Sequence, residues 1–346
     1  MNELSLDSRI ASLPKAELHL HLEGSIAPAT ASELAARHRV SVSVPEVLAR
    51  YHYQDFDGFI EAFKWVTSFL RTPDDYGLIV DRLADELRRQ NVIYAEVTLS
   101  VGVMLLRKQN PQANFVAILA AGERARAKGL RLQWIFDAAR QSGPADAMEV
   151  AQSAARCQTG DIVAFGLGGD ELAFPASAFR PAYDLALQHG MRSVAHAGEI
   201  GGPEEIRDVI DVLGAERIGH GIAAMRDPTL MDFLAERRIP LENCIASNIC
   251  TGALAKQLGK STAEAEEHPL KLFLDRGLRV VLSTDDPAMF HTELASEYRH
   301  AAALGLSPRE LTRLARMSFE HALLTPADLR LYLEKFDAQA NSLGLV

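Results

Sequence analysis

At 346 residues, with 48% hydrophobic and 24% charged side chains, the chain has the composition of a folded protein able to bury a large core. Its formal net charge of −10, without a block of about five like charges, argues against a phosphate-backbone or anionic-membrane surface and suits a neutral or cationic small substrate. No apolar run approaches the roughly 18 residues of a membrane span, residues 1–13 lack a signal-peptide core, and Cys157, Cys244 and Cys250 show no paired ligand spacing, so reduced thiols, no membrane or nucleic-acid partner and a cytoplasmic location are expected.

Residues 13–25 open the fold. Leu18, Leu20 and Leu22 alternate with His19, His21 and Glu23, the two-residue period of a strand, so His19 and His21 share one face. Two imidazoles so placed can grip one metal ion, although such pairs also arise by chance. Gly24 and Ser25 then form a strand exit, with Ser25 a candidate N-cap for a helix after Pro28. Residues 30–50 read as helix. Residues 51–70 carry Phe56, Phe59, Phe63, Trp65 and Phe69 at mixed helical spacing, a core stripe by default. The sharper reading is a helix over a pocket mouth, with Phe59, Phe63 and Trp65 against a flat ligand and Lys64 as a solvated charge among them.

From there helix and strand alternate. Helix 73–90 leads into strand 92–99, helix 114–128 into strand 130–136, and helix 144–157 into strand 162–167. The alternation continues through helix 176–189 and strand 192–197, then helix 204–213 and strand 217–220. Helix 228–237 precedes strand 239–245, and helix 269–276 precedes strand 278–284. Such alternation implies parallel strands joined by right-handed crossovers, and eight strand units predict an α/β fold of the closed (β/α)8 TIM barrel type. No G-x-G-x-x-G follows the first strand and no Pro/Gly/Ser-rich linker divides the chain. One domain over residues 1–346 is expected, with an aromatic helical insertion after the first strand at about 30–90.

Chemistry in such a barrel gathers where the strands end. Those ends carry His19 and His21 on the first strand, Gly168-Gly169-Asp170-Glu171 after the fourth, His196 and Glu199 at the fifth, His220 on the sixth and Ser283-Thr284-Asp285-Asp286-Pro287 after the eighth. Converging histidines and a carboxylate match the donors that Zn²⁺ prefers, with Glu199 placed to move a proton beside them. Each motif alone has an ordinary reading, since Gly219-His220-Gly221 can be a turn and Asp285-Asp286-Pro287 an N-cap. Their joint placement at predicted strand ends is what carries the argument. His38, His52, His189, His268, His291, His300 and His321 read as surface or structural.

The ordered set Leu13-Pro14-Lys15-Ala16-Glu17-Leu18-His19-Leu20-His21-Leu22-Glu23-Gly24, Gly169-Asp170-Glu171, His196-Ala197-Gly198-Glu199, Ile218-Gly219-His220-Gly221, Ser247-Asn248 with Thr251-Gly252, and Ser283-Thr284-Asp285-Asp286-Pro287 resembles the adenosine deaminase family, from about residue 10 to 325. The resemblance implies that His19, His21, His196 and Asp285 hold one Zn²⁺ per chain, which activates a water for attack on C6 of a purine nucleoside. It further implies that Glu199 protonates ring N1, His220 orients the attacking water, Asp286 meets N7 and the Gly169 N–H meets N3, ammonia then leaving a 6-oxo purine.

Two departures bear on the substrate. Where relatives acting on adenosine carry Arg-aromatic-Ser-Pro after the second strand, this chain has Thr98-Leu99-Ser100-Val101, and Glu23 stands where many carry Asp toward the ribose 5′-hydroxyl. Thr251-Gly252 resembles the nucleoside branch more than the adenine branch. The expected substrate is therefore adenosine or a 5′-modified adenosine such as 6-aminodeoxyfutalosine, with Phe59 and Phe63 beside it and Lys64 or Arg71 toward a 5′ carboxylate. Adenine deamination, a barrel metallohydrolase with another C–N or ester substrate, and a non-catalytic purine-binding protein are the alternatives. Retention of both His196 and Glu199 counts against the last, because binding alone needs no proton donor. The sequence carries no signal for oligomeric state.

Overall fold

The structure, a computed structural model, describes residues 6–53, 55–157 and 159–345; residues 1–5, the start of the stretch read for a leader, lie outside it. Eight strands form the frame: β1 (Lys15–His21), β2 (Val92–Leu99), β3 (Arg131–Ala139), β4 (Ile162–Gly168), β5 (Arg192–Ala197), β6 (Arg217–His220), β7 (Pro240–Asn243) and β8 (Arg279–Leu282). Each pairs in parallel with its sequence neighbour, in the order β1 to β8. Beyond β8 the chain returns to β1, where Asp285 N–H donates to His19 O at 2.9 Å and His21 N–H to Asp285 O at 2.8 Å. The barrel thus closes through the backbone of the residues expected to hold a metal. The expected (β/α)8 TIM barrel is the fold observed.

Helices cover the outside of this sheet, which is why the strands read as nearly unbroken apolar runs. Val97, Leu132, Phe165, Ile218, Leu241 and Val280 from six of the strands belong to one buried cluster. Helix Pro308–Glu320, beyond the last expected strand, packs on both β8 and β1 and covers the seam between them.

Several boundaries differ from expectation for local reasons. β3 runs on to Ala139 because its ladder with β4 continues through Asp137 and Gly166. β7 ends at Asn243 because Ile245–Cys250 turns into a helix whose buried first N–H groups at Ile245 and Ala246 are taken by the Glu297 carboxylate at 2.8 and 3.4 Å.

Helix α1 (Leu6–Ser12) precedes β1, and α2 (Pro28–Arg37), α3 (Val44–Arg50), α4 (Phe56–Thr67) and α5 (Pro73–Arg89) fill the space before β2. The single helix expected over 30–50 is two, because Arg39 takes a left-handed φ of 61° and Ser43 starts a new capping box with Glu46. Ser25 is not an N-cap. Its hydroxyl donates to Leu22 O at 2.6 Å, and α2 starts after Ala27 with Pro28 at its first turn. On α4, Phe59 and Phe63 face the barrel mouth, whereas Trp65 turns away, edge-on to Phe69 at 5.0 Å and beneath the Arg50 guanidinium at 5.1 Å. Trp65 therefore packs rather than touching a ligand, as helical spacing requires of a residue two places from Phe63. A short helix missed in the sequence, α6 (Val101–Leu106), follows β2 on the same side of the barrel mouth.

Candidate active site

The donor atoms meet at the C-terminal rim of the strands. His21 Nε2 lies 3.3 Å from His196 Nε2 and 3.3 Å from Asp285 Oδ1, and His19 Nε2 lies 3.4 Å from the same oxygen. Ligand atoms of His19, His196, His220 and Asp285 all fall within 4.8 Å of one another, and those of His21, Asp285 and Asp286 form a second such group sharing Asp285.

The far sides of His19, His196 and Asp285, three of the four expected ligands, are tied down. His19 Nδ1 faces Glu242 Oε2 at 2.8 Å, His196 Nδ1 faces Leu167 O at 3.2 Å, and Ser247 donates to Asp285 Oδ2 at 2.6 Å. These bonds turn each Nε2 inward and fix the ring tautomers. Asp285 itself sits at a left-handed φ of 66°, a strain held by the two backbone bonds to β1.

Three observations test whether these residues fit a cation. His19 Nε2 is buried without a hydrogen-bond partner. Although burial opposes charge on His19, the neighbouring carboxylates of Asp285 and Glu242 outweigh that and hold its pKa well above the ordinary value, while burial keeps His196 well below it. One positive charge is thus called for at the centre, and nitrogen and oxygen donors surround it. The donor set fits a divalent metal.

Glu199 lies on the loop beyond β5, with its carboxyl 3.6 Å from His220 Nε2 and accepting the Thr251 hydroxyl at 3.3 Å. Burial first, and then the charge of Asp285, push its pKa well above the carboxylate range, which favours the protonated acid. The loop is braced by Glu171, whose carboxylate accepts the N–H groups of Gly198, Glu199 and Gly201 at 2.9, 2.9 and 3.0 Å. His220 is neutral, its pKa pushed down to about 3 by burial. Its Nδ1 meets the Asn248 amide nitrogen at 3.0 Å, and the Asn248 carbonyl meets His268 Nε2 at 3.2 Å. That relay leaves the Nε2–H of His220 pointing between Glu199 and Asp285, and it gives His268 the structural role expected of it.

The cleft above these groups encloses about 220 Å³. Phe56, Phe59, Ile60 and Phe63 of α4 and Val103 and Leu106 of α6 supply apolar walls, and Gly168, Gly169, Glu199 and Asp286 line it as well. Gly169 has φ 87°, and a Cβ there would lie 2.1 Å from Gln141 Oε1, so only glycine leaves this backbone open to the cleft. Gly24 makes room for Asp286, since a Cβ at 24 would come within 1.7 Å of its Oδ1, an atom buried without a partner. Burial and the adjacent Asp285 raise the Asp286 pKa well above the usual range, making it a carboxylic acid able to donate.

The structure does not bring Glu23 to this surface. Glu23 is 1% exposed and its carboxylate accepts the N–H of Ser100 at 3.1 and 3.3 Å, so Ser100 stands between it and the cleft. Arg71 lies in a neighbouring groove rather than the cleft, and Lys64 lines the cleft lip but pairs with Glu61 at 2.8 Å.

Two charged cleft residues escaped the sequence reading. Asp137 projects from near the C-terminal end of β3, buried beside Gly166 and Gly168, neither of which has a side chain to displace it. Its position one residue past the apolar run 130–136, level with the other strand-end groups, was the available signal. Arg107, at the end of α6, had no such signal, because that helix was not expected.

Fold and site together define the class: a barrel hydrolase whose rim carries a donor cluster able to hold a metal. The chain matches the adenosine deaminase family over residues 14–338, and it belongs to that family. It is 43% identical to the aminodeoxyfutalosine deaminase of Streptomyces avermitilis over 333 residues, 93% of this chain and 90% of that one. To the adenosine deaminase of Escherichia coli strain SE11 it is 34% identical over 338 residues, 95% of this chain and 99% of the relative. Among solved structures, the adenine deaminase of Arthrobacter aurescens superposes with a TM-score of 0.89 at 26% identity, covering 95% of this chain and 100% of that one. The protein is an aminohydrolase.

Proposed function

We propose that the protein hydrolyses the 6-amino group of a 5′-extended adenosine of the aminodeoxyfutalosine kind, with Zn²⁺ held by His19, His21, His196 and Asp285. The observation that carries this reading is the meeting, in one cleft, of a donor cluster, the buried carboxyl of Glu199 and the unpartnered Oδ1 of Asp286, with apolar walls continuing beyond them. The higher identity to the aminodeoxyfutalosine enzyme than to the adenosine enzyme supports the 5′-extended substrate.

When bound, the ion supplies Lewis-acid chemistry that lets a water attack near neutrality. The chain's own groups do the rest. Phe59 and Phe63 pack beside the nucleoside, the Gly169 N–H donates to N3, and the neutral acid of Asp286 donates to N7. His220 turns its Nε2–H toward the attacking water. As that water adds to C6, Glu199 gives its proton to N1 and takes one back from the water. The remaining hydroxyl proton passes to the amino group, which leaves as ammonia with N1–H and C6=O in place.

The chain is read as one domain in which α2 to α5 are the helical insertion that walls the cleft. Free thiols at Cys157, Cys244 and Cys250 support a cytoplasmic location, and no helix among the described residues is long and apolar enough to cross a membrane.

Purified protein loaded with one zinc per chain is to be offered adenosine, adenine and 6-aminodeoxyfutalosine, following purine absorbance and ammonia release. Deamination with a preference for the 5′-extended nucleoside is expected. A preference for adenine would replace the substrate, and no change in any of them would overturn the reading.

A further inference from the structure

We propose that Arg107 is a specificity-determining residue that binds a carboxylate at the far end of the substrate's 5′ substituent; this rests on the deaminase reading above. Arg107 follows α6 and is planted against the C-terminal end of α4, its Nη2 donating to Lys64 O at 2.7 Å and Thr67 Oγ1 at 2.9 Å. It is half-buried, among the described residues it forms no ion pair, and the charge of Arg71 acts against its own. In a chain of net charge −10, Arg107 thus differs from the half-buried Arg131, which faces Asp328 at 2.9 Å. Three of its N–H donors have no partner among the described residues.

Position says what that partner is attached to. Arg107 lines the same cleft as Glu199 and Asp286, and it also borders a second groove of about 390 Å³ that carries Arg71 and Lys108. The walls of the cleft beside it are apolar, from Phe63, Val103 and Leu106, the last 74% exposed. A nucleoside seated with its purine against Glu199 and Asp286 would lead its 5′ substituent past these side chains. The complementary ligand is an adenosine whose 5′ extension is apolar or aromatic in the middle and anionic at the end. Lys64 is the weaker candidate, because it is exposed and already neutralised by Glu61. A guanidinium also suits a carboxylate geometrically, offering two parallel donors where an ammonium offers one point charge.

The test compares 6-aminodeoxyfutalosine, its methyl ester and the 5′-phosphate AMP on the zinc-loaded wild type, Arg107→Gln and Arg107→Lys. In the wild type, the free acid is expected to exceed the ester in kcat/KM by about 10- to 100-fold, the scale of one charge-assisted pair, through KM rather than kcat. Arg107→Gln should bring that ratio close to one and Arg107→Lys restore part of it. AMP should be a poor substrate throughout, because its phosphate ends short of Arg107. If the acid is deaminated and the glutamine variant keeps the full acid-to-ester preference, the inference fails while the deaminase reading stands. Equal losses on acid and ester would make Arg107 a brace for α4 and also overturn it, and a substitution effect confined to AMP would do the same. If no compound is deaminated by the wild type, the reading and the inference fall together.

Discussion

Glu199 is suited to proton donation because burial and the neighbouring Asp285 keep its carboxyl protonated where an exposed glutamate would be ionised. Glutamine at this position keeps the shape and the contact with Thr251 but has no acidic proton, so Glu199→Gln should lower kcat by roughly 10²- to 10⁴-fold while metal content stays unchanged. Ammonia release and metal analysis on the same sample check both. The sign of the pH dependence follows from the raised pKa: the donor form is complete below it and is lost as pH rises through it. The kcat/KM of the wild type should therefore fall on the alkaline side, and that limb should be missing from the glutamine variant. At this scale legibility was uneven. His19 and His21 could be read as a pair from their two-residue spacing, whereas Trp65 could not be separated from Phe63 until the face each occupies on α4 was known. Arg107 was invisible for a different reason, since lacking a carboxylate partner is a property of its neighbours in space.

Among the elements, β6 ties the barrel interior to the rim that carries the donor cluster. Arg217 on β6 pairs with Glu96 of β2 at 2.6 Å and with Glu242 of β7, and Glu242 in turn orients His19 of β1. All of these side chains are buried, so the charges have no solvent to fall back on. Replacing Arg217 by Met leaves two buried carboxylates without their cation, and a loss of about 3–5 kcal/mol is expected. Urea unfolding at neutral pH measures it, and a change below about 1 kcal/mol would show that the carboxylates find other partners. Strands 92–99, 192–197 and 217–220 were legible to the residue because apolar runs between polar clusters mark a strand buried on both faces. The end of β7 was not, because the same apolar pattern at Ile245 serves a helix once Glu297 is there to take its first N–H groups.

For the whole molecule, the proposed ligands come from β1, β5 and the segment after β8, and they converge only when the sheet has closed. An ion bound there stabilises the folded state alone. At free zinc about 1,000-fold above its dissociation constant the gain is roughly 4 kcal/mol, a rise in Tm of roughly 5 °C for a chain of this size. Thermal unfolding before and after chelation, with zinc added back, tests this, and an unchanged Tm would mean that the cluster does not hold the ion.

The sequence by itself determined the alternation of strand and helix, the barrel that alternation implies and the strand-end motifs of the adenosine deaminase family, because periodicity and end signals are carried by residues close together in the chain. Tertiary structure alone decided that Glu23 lies behind Ser100, that Asp137 and Arg107 reach the cleft, and that Glu242, 223 residues away, sets the orientation of His19. Burial, pKa and the presence or absence of a partner depend on what surrounds a side chain in space, and long-range packing supplies those surroundings.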